Sequence, residues 1–191
     1  ISDNQQNNKL KIHLIMKKYK KGLTVLFIIF GLTICHARKL PQSALYDFNL
    51  LLGRWKGSLT YLDYTSGKPY TMPADIEVRQ LDKTNKFIFY NIYPNETSAN
   101  SIDTISVSAD GKYIDKALIK SRRKLKNGNV EIVAEEQGKD GNDNKNATFR
   151  HTYLISKTHY SKKKEVQFEG ETNWIKRHEY SYTKKRGSGH G

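Results

Sequence analysis

Four histidines lie beyond residue 37 of this 191-residue chain: His151, His159, His178 and His190. Histidine changes charge near neutrality and is the commonest metal ligand. His151 and His178 fall in strand-like segments, but neither belongs to an H-x-H or H-E-x-x-H spacing, so no metal site is read from them. Asp63, Asp75, Glu169 and Glu179 are candidates for the carboxylate pair that glycoside hydrolysis brings together in a cleft, yet nothing in the sequence pairs them. No nucleophile elbow, P-loop or dinucleotide fingerprint occurs. No catalytic residue is assigned on this reading, and no cofactor is implied. A haem held by a histidine or a tyrosine would suit a small barrel, but no attachment motif is present.

Binding chemistry is better represented than catalytic chemistry. Twelve Tyr, seven Phe and two Trp offer flat apolar walls with polar tips. Strand alternation puts Phe87, Phe89, Asn91 and Tyr93 on one face and Ile88, Tyr90 and Ile92 on the other. Trp55, Leu59 and Tyr61 share a face, as do Trp174, His178, Tyr180 and Tyr182. Arg79, Arg122 and Arg150 each sit in a strand-like segment and would meet an anionic head group if they point inward. The candidate ligand contacts are therefore Tyr61, Arg79, Phe89, Tyr90, Arg122, Arg150, His178 and Tyr180. The competing expectation is that the aromatics fill a closed core while the arginines face water.

The elements that must position these residues are strands. Short runs rich in Tyr, Thr, Ile, Val and Phe are broken by Gly, Asn, Asp and Lys clusters. The expected strands are 54–64, 70–80 with Pro73 at an edge or bulge, 86–93, 102–108, 113–125, 130–136, 147–156, 159–169 and 173–183. Asp110-Gly111 and Asn127-Gly128 signal tight hairpins. Residues 138–146 read as a polar loop. Leu45, Phe48 and Leu52 are spaced for one helical face, so 42–52 is expected to form a short helix or turn plugging one end. The fold class expected is all-β, an antiparallel up-and-down barrel of about eight to ten strands.

Residues 16–37 read MKKYKKGLTVLFIIFGLTICHA, a basic head, a thirteen-residue apolar run and a small-residue end. That is the layout of a secretory signal peptide, and the run is short for a membrane span of about 20 residues. Export to a periplasmic or extracellular space is expected, with no stable membrane span after cleavage. Cleavage after Ala37 would remove Cys35, the one cysteine, and with it any thiol or disulfide chemistry. Residues 1–15 read as an upstream extension or a disordered tail, 38–183 as the barrel, and 184–191 as a disordered tail. The full chain carries +14; residues 38–191 retain 27 basic against 18 acidic side chains. Runs such as Lys120 to Lys126 and Lys162-Lys163-Lys164 read as solvated hairpin ends. No nucleic-acid-binding motif accompanies them, so no nucleic-acid partner is expected.

Gly53-Arg-Trp55 at the start of the first strand resembles the lipocalin and calycin group, and the chain looks similar to small exported lipocalin-like proteins of bacteria. Glycine lets the chain turn tightly into the strand, and the indole would cap the barrel as a buried plate. The resemblance implies an arginine from the last strand packed across the tryptophan. Arg177 in W-I-K-R-H-E-Y is the matching residue, so Gly53, Trp55 and Arg177 are the expected structural set. It also implies a small apolar or amphipathic ligand in the barrel. Two alternatives stay open: a filled barrel acting through its surface, and a hydrolase or isomerase with paired carboxylates, or a histidine beside a carboxylate, inside it.

Overall fold

In the computed structural model, described for residues 43–63 and 66–185, almost every segment is antiparallel strand. The signal-like segment 16–37, the preceding residues and the tail from 186 onward lie outside the described residues. The elements are α1 (Ala44–Asn49), β1 (Gly53–Asp63), β2 (Lys68–Pro73), β3 (Asp75–Gln80), β4 (Lys86–Ile92) and β5 (Ser101–Ser106). They continue with β6 (Tyr113–Ile114), β7 (Ala117–Lys124), β8 (Val130–Asp140), β9 (Lys145–Ile155), β10 (His159–Phe168) and β11 (Ile175–Lys184).

The strand order is β5-β4-β3-β1-β11-β10-β9-β8-β7-β6, with β2 beside β1. Val107 and Ile114 bridge the two edges of this path, so the sheet curls into a nearly closed barrel. The Ser106 backbone N–H and hydroxyl both donate to Asp115 Oδ1, at 2.7 and 3.0 Å, and reinforce that seam. Closure removes most of the exposed edge an open sheet would carry.

Eleven strands arise from nine expected ones by two interruptions. The 70–80 segment breaks at Ala74 into β2 and β3, although both halves keep one register against β1. The 113–125 segment breaks at Asp115, whose φ of 52° is incompatible with extended backbone. The polar loop expected over 138–146 is instead mostly hairpin, because β8 runs to Asp140 and β9 starts at Lys145. Gly138 permits this: a Cβ there would lie 2.4 Å from the Phe149 ring, which occupies the space above it. β11 also extends one residue past the expected end, taking in Lys184.

One end of the barrel is densely filled. α1 is capped by Ser43, whose hydroxyl accepts the Tyr46 N–H at 3.3 Å. It turns Phe48 and the following Leu51 into the interior, where both are fully buried. Phe48 packs against Phe87 and Tyr153 with ring centroids 5.6 and 5.5 Å apart. Val78, Val107, Ile114, Ile132 and Ile155 complete this core. Asp47 is buried on the same helix and is paired bidentately by Arg122, at 2.6 and 2.9 Å. The bulge of β7 between Ile119 and Ser121 changes the strand's facing and turns Arg122 toward the helix.

Candidate functional site

Above the plug, the inward faces of β9, β10 and β11 form matched rungs. Tyr160 lies between Ile155 and Tyr182, Lys162 between Tyr153 and Tyr180, and Lys164 between His151 and His178. Successive rungs are about 7 Å apart, two residues of strand rise. The barrel thus changes from aromatic to cationic and imidazole-lined as it leaves the core. Tyr160, Tyr182 and Tyr180 form a stack, with centroids 5.5 and 5.8 Å apart. Gly57 of β1 makes room for it, since a Cβ there would lie 2.4 Å from the Tyr182 ring and 2.2 Å from the Ser181 carbonyl oxygen.

Beside this wall lies a cavity of about 460 Å³, faced on its other side by β4 and β5. Ligand pockets range from about 300 to 1,000 Å³. Its walls include Phe89, Ile105 and Ile76, but hydrogen-bonding groups predominate: Asn91, Asp103, Asp115, Lys162, His178 and Tyr180. Asp103 accepts the Asn91 amide at 2.7 Å, and the Tyr93 and Tyr180 hydroxyls lie 3.0 Å apart. Lys162 is half-buried, and its ammonium sits 5.8 Å from the Tyr153 ring centroid. Burial lowers its pKa from the ordinary lysine value, against the opposing fields of Asp103 and Asp115.

Both histidines are held below the ordinary imidazole pKa. Burial, with Lys162, Lys164 and His151 nearby, brings the His178 pKa down to about 4. Burial and Lys162 also lower His151, although Glu136 pulls the other way. His151 Nε2 lies 3.3 Å from Glu136 Oε1, while its Nδ1 is buried without a partner. Among the described residues no cluster of three or more His, Cys, Asp or Glu is arranged to hold a metal ion.

The sequence candidates disperse. Phe89, His178 and Tyr180 line the cavity. Tyr61 stands opposite His178 on β1 and packs edge-on against Tyr70. Arg79 faces water, held to Glu77 at 2.8 Å and lying 5.1 Å over Tyr90, so both leave the interior. Arg150 is also directed outward, to Glu135 at 2.8 Å and across Trp174 at 3.6 Å. Arg122 serves the plug. Asp63, Asp75, Glu169 and Glu179 accept from Ser66, the Gly57 N–H, Asn146 and Lys176 respectively.

The structural set needs one correction. Gly53 adopts φ 110°, and Trp55 is buried with its indole N–H donating to the Leu51 carbonyl at 2.6 Å. The cation over the ring is Lys184, at 5.0 Å, and not Arg177. Register decides this: Trp55 pairs with Lys184, which leaves Arg177 seven residues away along β11, roughly 23 Å at 3.3 Å per residue. Arg177 instead pairs with Asp140 and lies 5.8 Å over Phe168.

Lys162, Lys164, Asp103 and Asp115 escaped the sequence reading. Lys162-Lys163-Lys164 is not a solvated hairpin end but the middle of β10. Alternation from Tyr160 to Val166, both buried, was the available signal: it places Lys162 and Lys164 on the same inward face.

No protein-family model and no curated protein matches the sequence. Among solved structures, the chain is similar to Rv2717c from M. tuberculosis, with 13% identity and a TM-score of 0.45, covering 75% of this chain and 98% of that one. It is also similar to a protein of unknown function from the DUF3598 family of Nostoc punctiforme PCC 73102, with 12% identity and a TM-score of 0.35. That match covers 72% of this chain and 48% of the other. Likenesses this distant carry no argument about what the present chain does.

Proposed function

We propose that this chain is a lipocalin-like binding protein that holds a small amphipathic ligand inside its barrel, and that it works after export. The observation that carries the reading is the 460 Å³ cavity beside a filled core, walled by stacked tyrosines and Phe89 and edged with hydrogen-bonding groups. The apolar plug at one end supplies rigidity, while the cavity supplies flat surfaces and polar contacts that fix a ligand's orientation. The lining favours a ligand with polar groups over a purely apolar one, because an alkane would strip water from Lys162, Asp103 and Asp115 without replacing the hydrogen bonds that water makes to them. Among the described residues no helix is long and apolar enough to cross a membrane. The export half of the proposal rests on residues 16–37.

Native mass spectrometry of protein purified from its own source tests the binding half. A retained small molecule that is lost on replacing Tyr180 or Tyr182 with a smaller side chain is the expected result. A bare chain, with no thermal stabilisation by any member of an amphipathic ligand panel, would leave the filled-barrel alternative standing.

A further inference from the structure

We propose that Lys162 captures a small aldehyde or ketone in the barrel cavity as an imine. This deepens the ligand-binding reading above and rests on it.

Among the described residues Lys162 is the one lysine lining the cavity, and it projects from the middle of β10 between Tyr153 and Tyr180. Its neighbour Lys163, on the opposite face of the strand, is tied to Glu165 at 3.0 Å. Lys162 itself makes no ion pair among the described residues, and its ammonium has only the Tyr153 ring as a close cationic contact. An unpaired amine directed into a walled cavity is the arrangement that Schiff-base lysines use. Burial also depresses its pKa, which raises the share of free amine near neutrality.

Charge selects the ligand class. Asp103 and Asp115 line the same cavity, so a carboxylate or phosphate head group would meet two like charges beside one ammonium. A neutral carbonyl compound avoids that repulsion, and the iminium it forms keeps the positive charge the two carboxylates already face. The flat walls of Phe89, Tyr160 and Tyr182 suit an aromatic or unsaturated body.

The step is balanced without a further reactant. The Lys162 amine lone pair attacks the carbonyl carbon, forming a C–N bond as the C=O π electrons become a hydroxyl after proton transfer from nitrogen. The proton that the Lys162 ammonium gave up to free its lone pair is then returned to the carbinolamine hydroxyl, which leaves as water as the C–O bond breaks and the nitrogen lone pair closes the protonated C=N bond. Asp103 and Asp115 are the carboxylates in the cavity that can take and return the proton.

The experiment uses the full chain with naphthaldehyde, sodium cyanoborohydride to reduce any imine, and peptide mapping by mass spectrometry. Binding of naphthaldehyde and of naphthalenemethanol, which cannot form an imine, is followed separately by quenching of intrinsic fluorescence. Labelling of Lys162 roughly tenfold or more faster than of any other lysine, as expected for a bound near-attack geometry, supports the proposal. Slowing of that labelling alone by naphthalenemethanol, and its loss in Lys162→Arg, support it further. Binding of both compounds with Lys162 labelled no faster than surface lysines overturns the imine and leaves the cavity reading intact. Failure of both compounds to bind, with no selective labelling, overturns both. Should Lys162→Arg fail to fold, site mapping and alcohol competition on the unmodified chain decide the matter.

Discussion

Trp55 is held by three contacts of different kinds. Its ring is buried at 1% exposure, edge-on to Tyr160 at 6.3 Å, its N–H is spent on the Leu51 carbonyl, and Lys184 lies across its face. Lys184 also donates to the Leu50 carbonyl at 3.1 Å, so one side chain fastens β11 to the end of α1 while covering the indole. Trp55→Ala is therefore expected to cost about 3–5 kcal/mol in chemical denaturation, the range for truncating a buried aromatic. Lys184→Met, which keeps the stem and loses the charge, should cost much less, because the stem supplies much of the cover. A loss under about 1 kcal/mol for Trp55→Ala would show that the closed end is not a cooperative part of the core.

At the scale of elements, α1 is a six-residue helix too short to be stable alone. Its place depends on Phe48 and Leu51 in the core and on the Asp47–Arg122 pair at its side. Asp47 is fully buried whereas Arg122 is partly exposed, so the pair is asymmetric. Arg122→Ala leaves a buried carboxylate without its counter-charge, and the expected loss is roughly 3–5 kcal/mol. The double variant Asp47→Leu/Arg122→Met removes both charges and should recover most of that loss in urea unfolding. If the double variant is as unstable as the single one, the pair acts through shape and not through charge.

At the scale of the whole molecule, the interior links stability to pH. His178 faces Lys164 from β10, Tyr61 from β1, and Tyr180 on its own strand, with Lys162 and His151 also acting on it. Its pKa of about 4 in the folded chain lies below the ordinary value of 6.5. Unfolded chains therefore take up a proton that folded ones refuse as pH falls from 6.5 toward 4, and His151 shifts the same way. The stability from burying neutral imidazole is complete above pH 6.5 and is lost across that window. The melting temperature should drop between pH 7 and 5, and His178→Gln should flatten the slope. An unchanged slope would place the pH dependence elsewhere, with the carboxylates.

The alternation of Tyr, Val, Ile and Phe with polar residues, together with the Asp-Gly and Asn-Gly turns, determined an antiparallel barrel and nine of its strand segments from the sequence alone. These signals are local: a period of two and a left-handed turn residue need no knowledge of the partner strand. The short plug helix was legible for the same reason, whereas Gly53 and the buried Trp55 were expected through the resemblance to the lipocalin and calycin group. What tertiary structure decided was facing and partnership across strands. The register of β1 on β11 put Lys184, not Arg177, on the tryptophan, and the β7 bulge sent Arg122 to Asp47. Arg79 faces outward beside Glu77, two residues away on the same strand, and Arg150 faces outward beside Glu135 on the neighbouring strand. Lys162 and Lys164 became interior residues because barrel closure curls the β10 face that carries them inward, and within the three-lysine run itself only the phase of the flanking Tyr160 and Val166 marks that face.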